Sequence, residues 1–257
     1  MSIDQRAVID PSANIADDVS IGAFSIIGAD VEIGTGTVIG PHVVITGPTR
    51  IGRNNRFFQF SSIGEVPQDK KYHGEDSRLE IGDGNTIREF VTINRGTDDG
   101  GGVTRIGNDN WLMAYIHIAH DCLIGNNTIF ANGASLAGHV EIEDYVILGG
   151  FTLVHQFTKI GMGAFCGMGS TVSKDIPPYV MVSGNPASPY GINSEGLKRR
   201  QHSKEAIKAV KAAYKTLYRS GHTLDEAKQH LRPLAEQHPE VQPMLDFLNR
   251  SKRGILR

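Results

Sequence analysis

A large apolar residue recurs at every sixth position through most of this chain. Ile3, Ile9, Ile15, Ile21, Ile27, Ile33, Ile39, Ile45 and Ile51 follow one another without a miss, and Phe57 and Ile63 continue the series. After a gap, Ile81, Ile87 and Ile93 resume it in the same phase. A second block, displaced by one residue, runs Ile106, Leu112, Ile118, Ile124, Phe130, Leu136, Ile142, Leu148, Val154, Ile160, Cys166 and Val172, for 26 hexads in all. No helical period matches six. The residue after the large one is often glycine, as at Gly22, Gly34, Gly52, Gly107, Gly125 and Gly149. The fourth after it is small or β-branched, as at Val19, Ser25, Val31, Thr37, Val43 and Thr128.

This pattern predicts a parallel β-helix in which each hexad supplies a short strand and a corner. Three hexads, roughly 18 residues, close one triangular coil, and coils stack at ~4.8 Å. The large residue points into the prism, and the following glycine is expected to relieve a left-handed or crowded corner. Hexapeptide-repeat proteins coil left-handed; the period alone does not give the hand. The repeat also accounts for an odd composition, 30 glycines and 26 isoleucines among 257 residues, that fits neither a helical bundle nor a disordered chain.

Two polar segments interrupt the rhythm, at about 65–80 and 96–105, and insertions in a solenoid fall on its face and often carry binding. The repeat stops at Ile176-Pro177-Pro178. The expected division is a β-helix over 1–190 and an α-helical domain over 191–257. Ser203 reads as a helix N-cap and Thr223-x-x-Glu226 as a capping box.

Net charge is −2, with no basic excess to suggest nucleic-acid binding. Cys122 and Cys166 lie inside apolar patterning and read as buried free thiols of a reducing compartment. Nothing resembles a signal peptide or a membrane span, so a cytoplasmic protein is expected.

The histidines are not needed by the repeat. At a coil of 18 residues, His120, Gly138 and Gln156 share one column. Asp121, His139 and Phe157 form the next, and Ala119, Ala137 and His155 another. A histidine beside a carboxylate can act as general base, and a glycine N–H one coil away can hold an oxyanion. That pairing suits acyl transfer. Three histidines can also bind zinc, as in the hexapeptide carbonic anhydrases, and a purely structural scaffold is a third reading.

The motifs His117-Ile118-Ala119-His120-Asp121-Cys122, Leu136-Ala137-Gly138-His139, Val154-His155-Gln156-Phe157 and Asn193-Ser194-Glu195-Gly196-Leu197-Lys198-Arg199-Arg200 closely resemble the acyl-ACP–UDP-N-acetylglucosamine O-acyltransferases of lipid A biosynthesis. Gln68-Asp69, Lys71-Tyr72 and Pro177-Pro178-Tyr179-Val180 resemble them too, so the likeness spans nearly the whole chain. It implies a homotrimer with sites between subunits. His120 would take the proton from the sugar 3-hydroxyl, Asp121 would orient His120, and the Gly138 N–H would hold the thioester oxyanion. Asp69, Lys71, His117, His139, His155 and Gln156 would position the sugar and diphosphate. Asn193, Glu195, Arg199 and Arg200 would contact the nucleotide.

The resemblance implies no metal and no bound cofactor. The 3-hydroxyacyl group arrives on the phosphopantetheine of acyl carrier protein, an acidic partner suited to the basic segment after Lys198. Met168 aligns with the family's acyl-length ruler. It lies 2⅔ coils past His120, roughly 13 Å, so 3-hydroxydecanoyl is expected over 3-hydroxymyristoyl. The related N-acyltransferase of the same pathway usually has an extra N-terminal domain, whereas here the hexads start at Ile3.

Overall fold

In the computed structural model, which describes residues 2–257, the hexads form a left-handed parallel β-helix of triangular section. Its faces are three sheets. Sheet I has 11 strands and begins at Ser2–Ile3, sheet II has 9 and begins at Val8–Ile9, and sheet III has 8 and begins at Asn14–Ile15. Register advances by one coil per strand: Ser2 pairs with Ser20, and His117 with Ser135. The large hexad residues from Ile21 to Val172 are buried, and so are the fourth residues after them, such as Val31, Val43 and Ala134. One apolar column per face therefore fills the prism, and removal of this surface from water drives the fold.

Of the two causes expected for the glycine after the large residue, crowding is the usual one, although Gly64, at φ +79°, is left-handed as well. A Cβ on Gly22 would lie 2.5 Å from the Pro41 nitrogen, and one on Gly34 would lie 2.7 Å from the Gly52 carbonyl oxygen of the next coil. The left-handed residue is the third after the large one, and it is usually not glycine: Phe24, Asp30, His42, Asn54, Phe60, Phe90, Tyr115, Asp121, His139 and Phe157 all have positive φ. At the corner between sheets I and II these residues stack. Phe24, His42, Phe60, Phe90 and Tyr115 form a ladder with ring centroids 4.8–5.4 Å apart, and its Phe and Tyr rings are exposed.

The faces differ. Sheet III turns charged residues outward and ties them across coils, Arg50 to Glu32 at 3.3 Å, Arg105 to Glu80 at 2.7 Å and Lys159 to Glu141 at 2.6 Å. Sheets I and II turn out apolar residues, Val38, Trp111 and Ile129 on one and Val8, Ile26 and Leu153 on the other. Both insertions leave from the corner between sheets II and III, one between Ser62–Glu65 and Arg78–Ile81 and one between Thr92–Asn94 and Val103–Ile106. The strands thus reclaim the last residues of each interrupted segment, and Glu65 pairs with Asn94 and Arg78 with Val103.

Four helices follow: α1 (Ser194–Arg199), α2 (Lys204–Tyr218), α3 (Leu224–Gln237) and α4 (Gln242–Arg250). The Ser203 side chain caps α2, and Thr223 and Glu226 form a reciprocal capping box on α3. The chain then returns to the prism, where Ser251 Oγ donates to Asp175 and Ile255 bridges to Asp175. No helix among the described residues is long and apolar enough to cross a membrane. Both cysteines are free and buried, and burial pushes each thiol up to about 12.

Candidate active site

The corner between sheets II and III carries, in successive coils, the two insertions, then His120 and Asp121, then Gly138 and His139, then Gln156 and Phe157. Corner hydrogen bonding explains what this edge offers. The first corner N–H bonds upward, as from Ala119 to the Leu136 carbonyl, and the third bonds downward, as from His139 to the His120 carbonyl. The second N–H, that of His120, Gly138 and Gln156, donates to no acceptor among the described residues. Each coil therefore leaves one unpaired N–H on this edge, and at Gly138 no side chain shields it. The glycine is also required sterically: a Cβ there would lie 2.6 Å from His120 Cε1 and 2.8 Å from Nε2.

Asp121 joins this column through its left-handed backbone, φ +60°. Its Oδ2 lies 2.7 Å from His120 Nδ1 and 3.8 Å from His139 Nδ1. The carboxylate side chain is 1% exposed. The second insertion covers it, with the Thr97 N–H donating to Oδ1 at 2.8 Å and the Thr97 hydroxyl to Oδ2 at 2.6 Å. The Asp121 N–H donates to Thr104 Oγ1 at 2.8 Å. Neither contact was legible in sequence: Thr97, four after Ile93, and Thr104, two before Ile106, both stand at the small or β-branched place of a hexad, and the repeat does not say where their hydroxyls point.

The nearby residues gather as the columns require. His139 meets His120 edge-on and stacks on Phe157 at 4.4 Å. His117 Nδ1 pairs with Thr92 Oγ1 at 2.8 Å. Burial lowers the basicity of both His117 and His139, which keeps them neutral hydrogen-bonding groups near neutral pH. Asp69 is held below the usual carboxylate range, first by the Lys71 N–H and further by the charges of His120, Lys71 and His139, so the first insertion brings it toward the pair. Lys71, His155 and Gln156 are exposed on this side.

The remaining predicted residues are elsewhere in the chain. Arg200 packs over Tyr145 and Tyr179 at 5.0 and 5.6 Å, and Asn193 Nδ2 donates to the Gly163 carbonyl at 3.0 Å. Tyr145 and Gly163 are residues of the corner between sheets III and I, a different edge from His120. Glu195 and Arg199 are exposed there, with Glu195 paired to Lys198. Asn193 is 7% exposed, and its carbonyl oxygen accepts from the Gly196 N–H as the cap of α1. Asn193 thereby places the helix that bears Glu195 and Arg199. Met168 lies on the third edge, between sheets I and II, 79% exposed.

His120, Asp121 and His139 bring ligand atoms within 4.8 Å of one another. The carboxylate, however, already accepts from Thr97 and faces His120 Nδ1, and it is enclosed, so this trio fits an oriented base better than a cation.

The fold and the His–Asp edge together define a hexapeptide-repeat transferase. Residues 12–47 and 104–138 match the family described as bacterial transferase hexapeptide (six repeats), and residues 175–256 match UDP N-acetylglucosamine O-acyltransferase, domain 2. The acyl-[acyl-carrier-protein]–UDP-N-acetylglucosamine O-acyltransferase of Thiobacillus denitrificans is 60% identical over 256 residues, covering 100% of this chain and 99% of that protein. The structure of LpxA from Acinetobacter baumannii is 49% identical with a TM-score of 0.97, covering 99% of each chain. UDP-N-acetylglucosamine O-acyltransferase (LpxA) from Moraxella catarrhalis is 48% identical with a TM-score of 0.98, covering 100% of each. The chain belongs to the acyl-[acyl-carrier-protein]–UDP-N-acetylglucosamine O-acyltransferase family.

Proposed function

We propose that this protein transfers a 3-hydroxyacyl group from acyl carrier protein to the 3-hydroxyl of UDP-N-acetylglucosamine, the first step of lipid A biosynthesis, in the cytoplasm. The observation that carries the mechanism is the His120–Asp121 pair beneath the unshielded Gly138 N–H. With Nδ1–H donated to Asp121, Nε2 is the free base. It takes the proton of the sugar 3-hydroxyl as that oxygen attacks the thioester carbonyl. The Gly138 N–H stabilises the oxyanion, and Asp121 the imidazolium. Collapse breaks the C–S bond, and the departing phosphopantetheine sulfur takes the proton back from His120.

Residues matched to the nucleotide lie on the III–I corner and the base on the II–III corner. A homotrimer reconciles them. With the exposed aromatic I–II edge of each chain at a threefold axis, apolar sheet II of one copy meets apolar sheet I of the next. The II–III corner then adjoins the neighbour's III–I corner, and the ion-paired sheet III faces water. The base of one copy meets Arg199 and Glu195 of the next. For the carrier, Lys204, Lys208, Lys211 and Lys215 form an exposed stripe on α2, opposite its buried face. Such a stripe suits an acidic partner. Met168 is assigned the end of the acyl groove.

The test is product formation from UDP-N-acetylglucosamine and a panel of 3-hydroxyacyl carrier-protein thioesters. Wild type should turn over, and His120→Ala, folded and assembled, should lose at least about a hundredfold. A fully active His120→Ala variant would remove the base assignment.

A further inference from the structure

The second insertion has no role in the chemistry above, yet two of its residues are committed to Asp121. Thr97 contacts both carboxylate oxygens, through its N–H at 2.8 Å and its hydroxyl at 2.6 Å. A Cβ on Gly100 would fall on the Asp121 carboxylate, so the loop closes over that group only because residue 100 is glycine. Thr97 is itself fixed, its carbonyl accepting from the Gly100 N–H at 3.1 Å and the Gly102 N–H at 2.8 Å. Gly101 and Gly102, at φ +90° and +76°, make that turn feasible.

We propose that Thr97 is a positioning residue for acyl transfer, holding the Asp121 carboxylate in the orientation that presents Oδ2 to His120 Nδ1. It acts through the carboxylate, to which both its N–H and its hydroxyl donate. By fixing both oxygens it leaves the carboxylate one way to meet the imidazole, so His120 is held in one tautomer with Nε2 aimed at the acceptor. A carboxylate free to rotate would share itself between His120 and His139, whose Nδ1 lies 3.8 Å from the same oxygen.

The inference rests on His120 and Asp121 being the catalytic pair, and the experiment separates the two. Thr97→Val keeps the shape and removes the hydroxyl. It should lower kcat about tenfold with KM within about twofold, in a folded enzyme of unchanged assembly. Thr97→Ser should recover most of the loss. Added to Asp121→Asn, Thr97→Val should cost less than about twofold, because the group it acts through is gone. The inference is overturned by an unchanged kcat in Thr97→Val, by Thr97→Ser as slow as Thr97→Val, or by an equal loss in both backgrounds. Should the valine variant not fold, Thr97→Ala against Thr97→Ser gives the same comparison. A fully active His120→Ala overturns the underlying reading; an inactive one beside an unimpaired Thr97→Val overturns this inference alone.

Discussion

His120 and Asp121 are sequence neighbours whose side chains meet, Nδ1 to Oδ2 at 2.7 Å. Along a strand, adjacent side chains point to opposite faces. The left-handed backbone at Asp121 turns its carboxylate back beside the ring. The third corner position of the hexad thus makes a base–orienter pair from two consecutive residues.

That geometry leaves no room above the ring. In Gly138→Ala the new methyl would stand 2.6 Å from His120 Cε1, so the imidazole must move away from the unpaired N–H. A loss of about a hundredfold in kcat is expected, since displacements near 1 Å cost about that much. Steady-state kinetics with a thermal melt would show it, and wild-type kcat in this variant would contradict the placement.

If the site is shared between subunits, two defective chains should complement. Co-expressed His120→Ala and Arg199→Glu chains should form mixed trimers in which about a third of the interfaces, one in each trimer, join an intact base to an intact arginine. Each parent alone should be nearly inactive. Failure of purified mixed trimers to exceed the parents would mean that the site is complete within one chain.

Met168 can be tested through chain-length selectivity. Met168→Gly should shift the ratio of kcat/KM from 3-hydroxydecanoyl toward 3-hydroxymyristoyl carrier protein by at least about tenfold, since each buried methylene is worth about 0.8 kcal/mol. An unchanged ratio would place the end of the groove elsewhere.

Burial, reinforced by His120, lowers the pKa of His117 in the folded chain. As pH falls below the ordinary imidazole range, the unfolded chain takes up this proton before the folded one. Stability is therefore lost on acidification through that window and unaffected by this group above it. Wild type should lose melting temperature more steeply than His117→Gln between about pH 7 and pH 5, with parallel curves at about pH 8 and above. Equal slopes throughout would show that His117 is not held neutral.

Much of the fold was readable because one period governs it. The hexads fix which residues fill the prism, and register arithmetic places Gly138 above His120 before any coordinates. The corner glycine was legible in position, but the choice between its two expected causes is made only by the stacked coils, where crowding prevails. Asn193 shows the opposite limit. It matches a family motif, yet an asparagine three residues before Gly196, ahead of buried Leu197, is also an N-cap signal, and the buried amide takes that role. Thr97 stands four after Ile93, at the small or β-branched place of the hexad, but the repeat gives no sign that its hydroxyl meets Asp121 in the next coil.

Both insertions depart from the corner that holds His120. A loop is lengthened there at little cost, about 0.6 kcal/mol for each doubling, while the coils above and below resume their pairing. The walls around the base are thus separable from the prism. A lineage can rewrite what its catalytic histidine admits by editing excursions at one corner, leaving the scaffold's internal packing untouched.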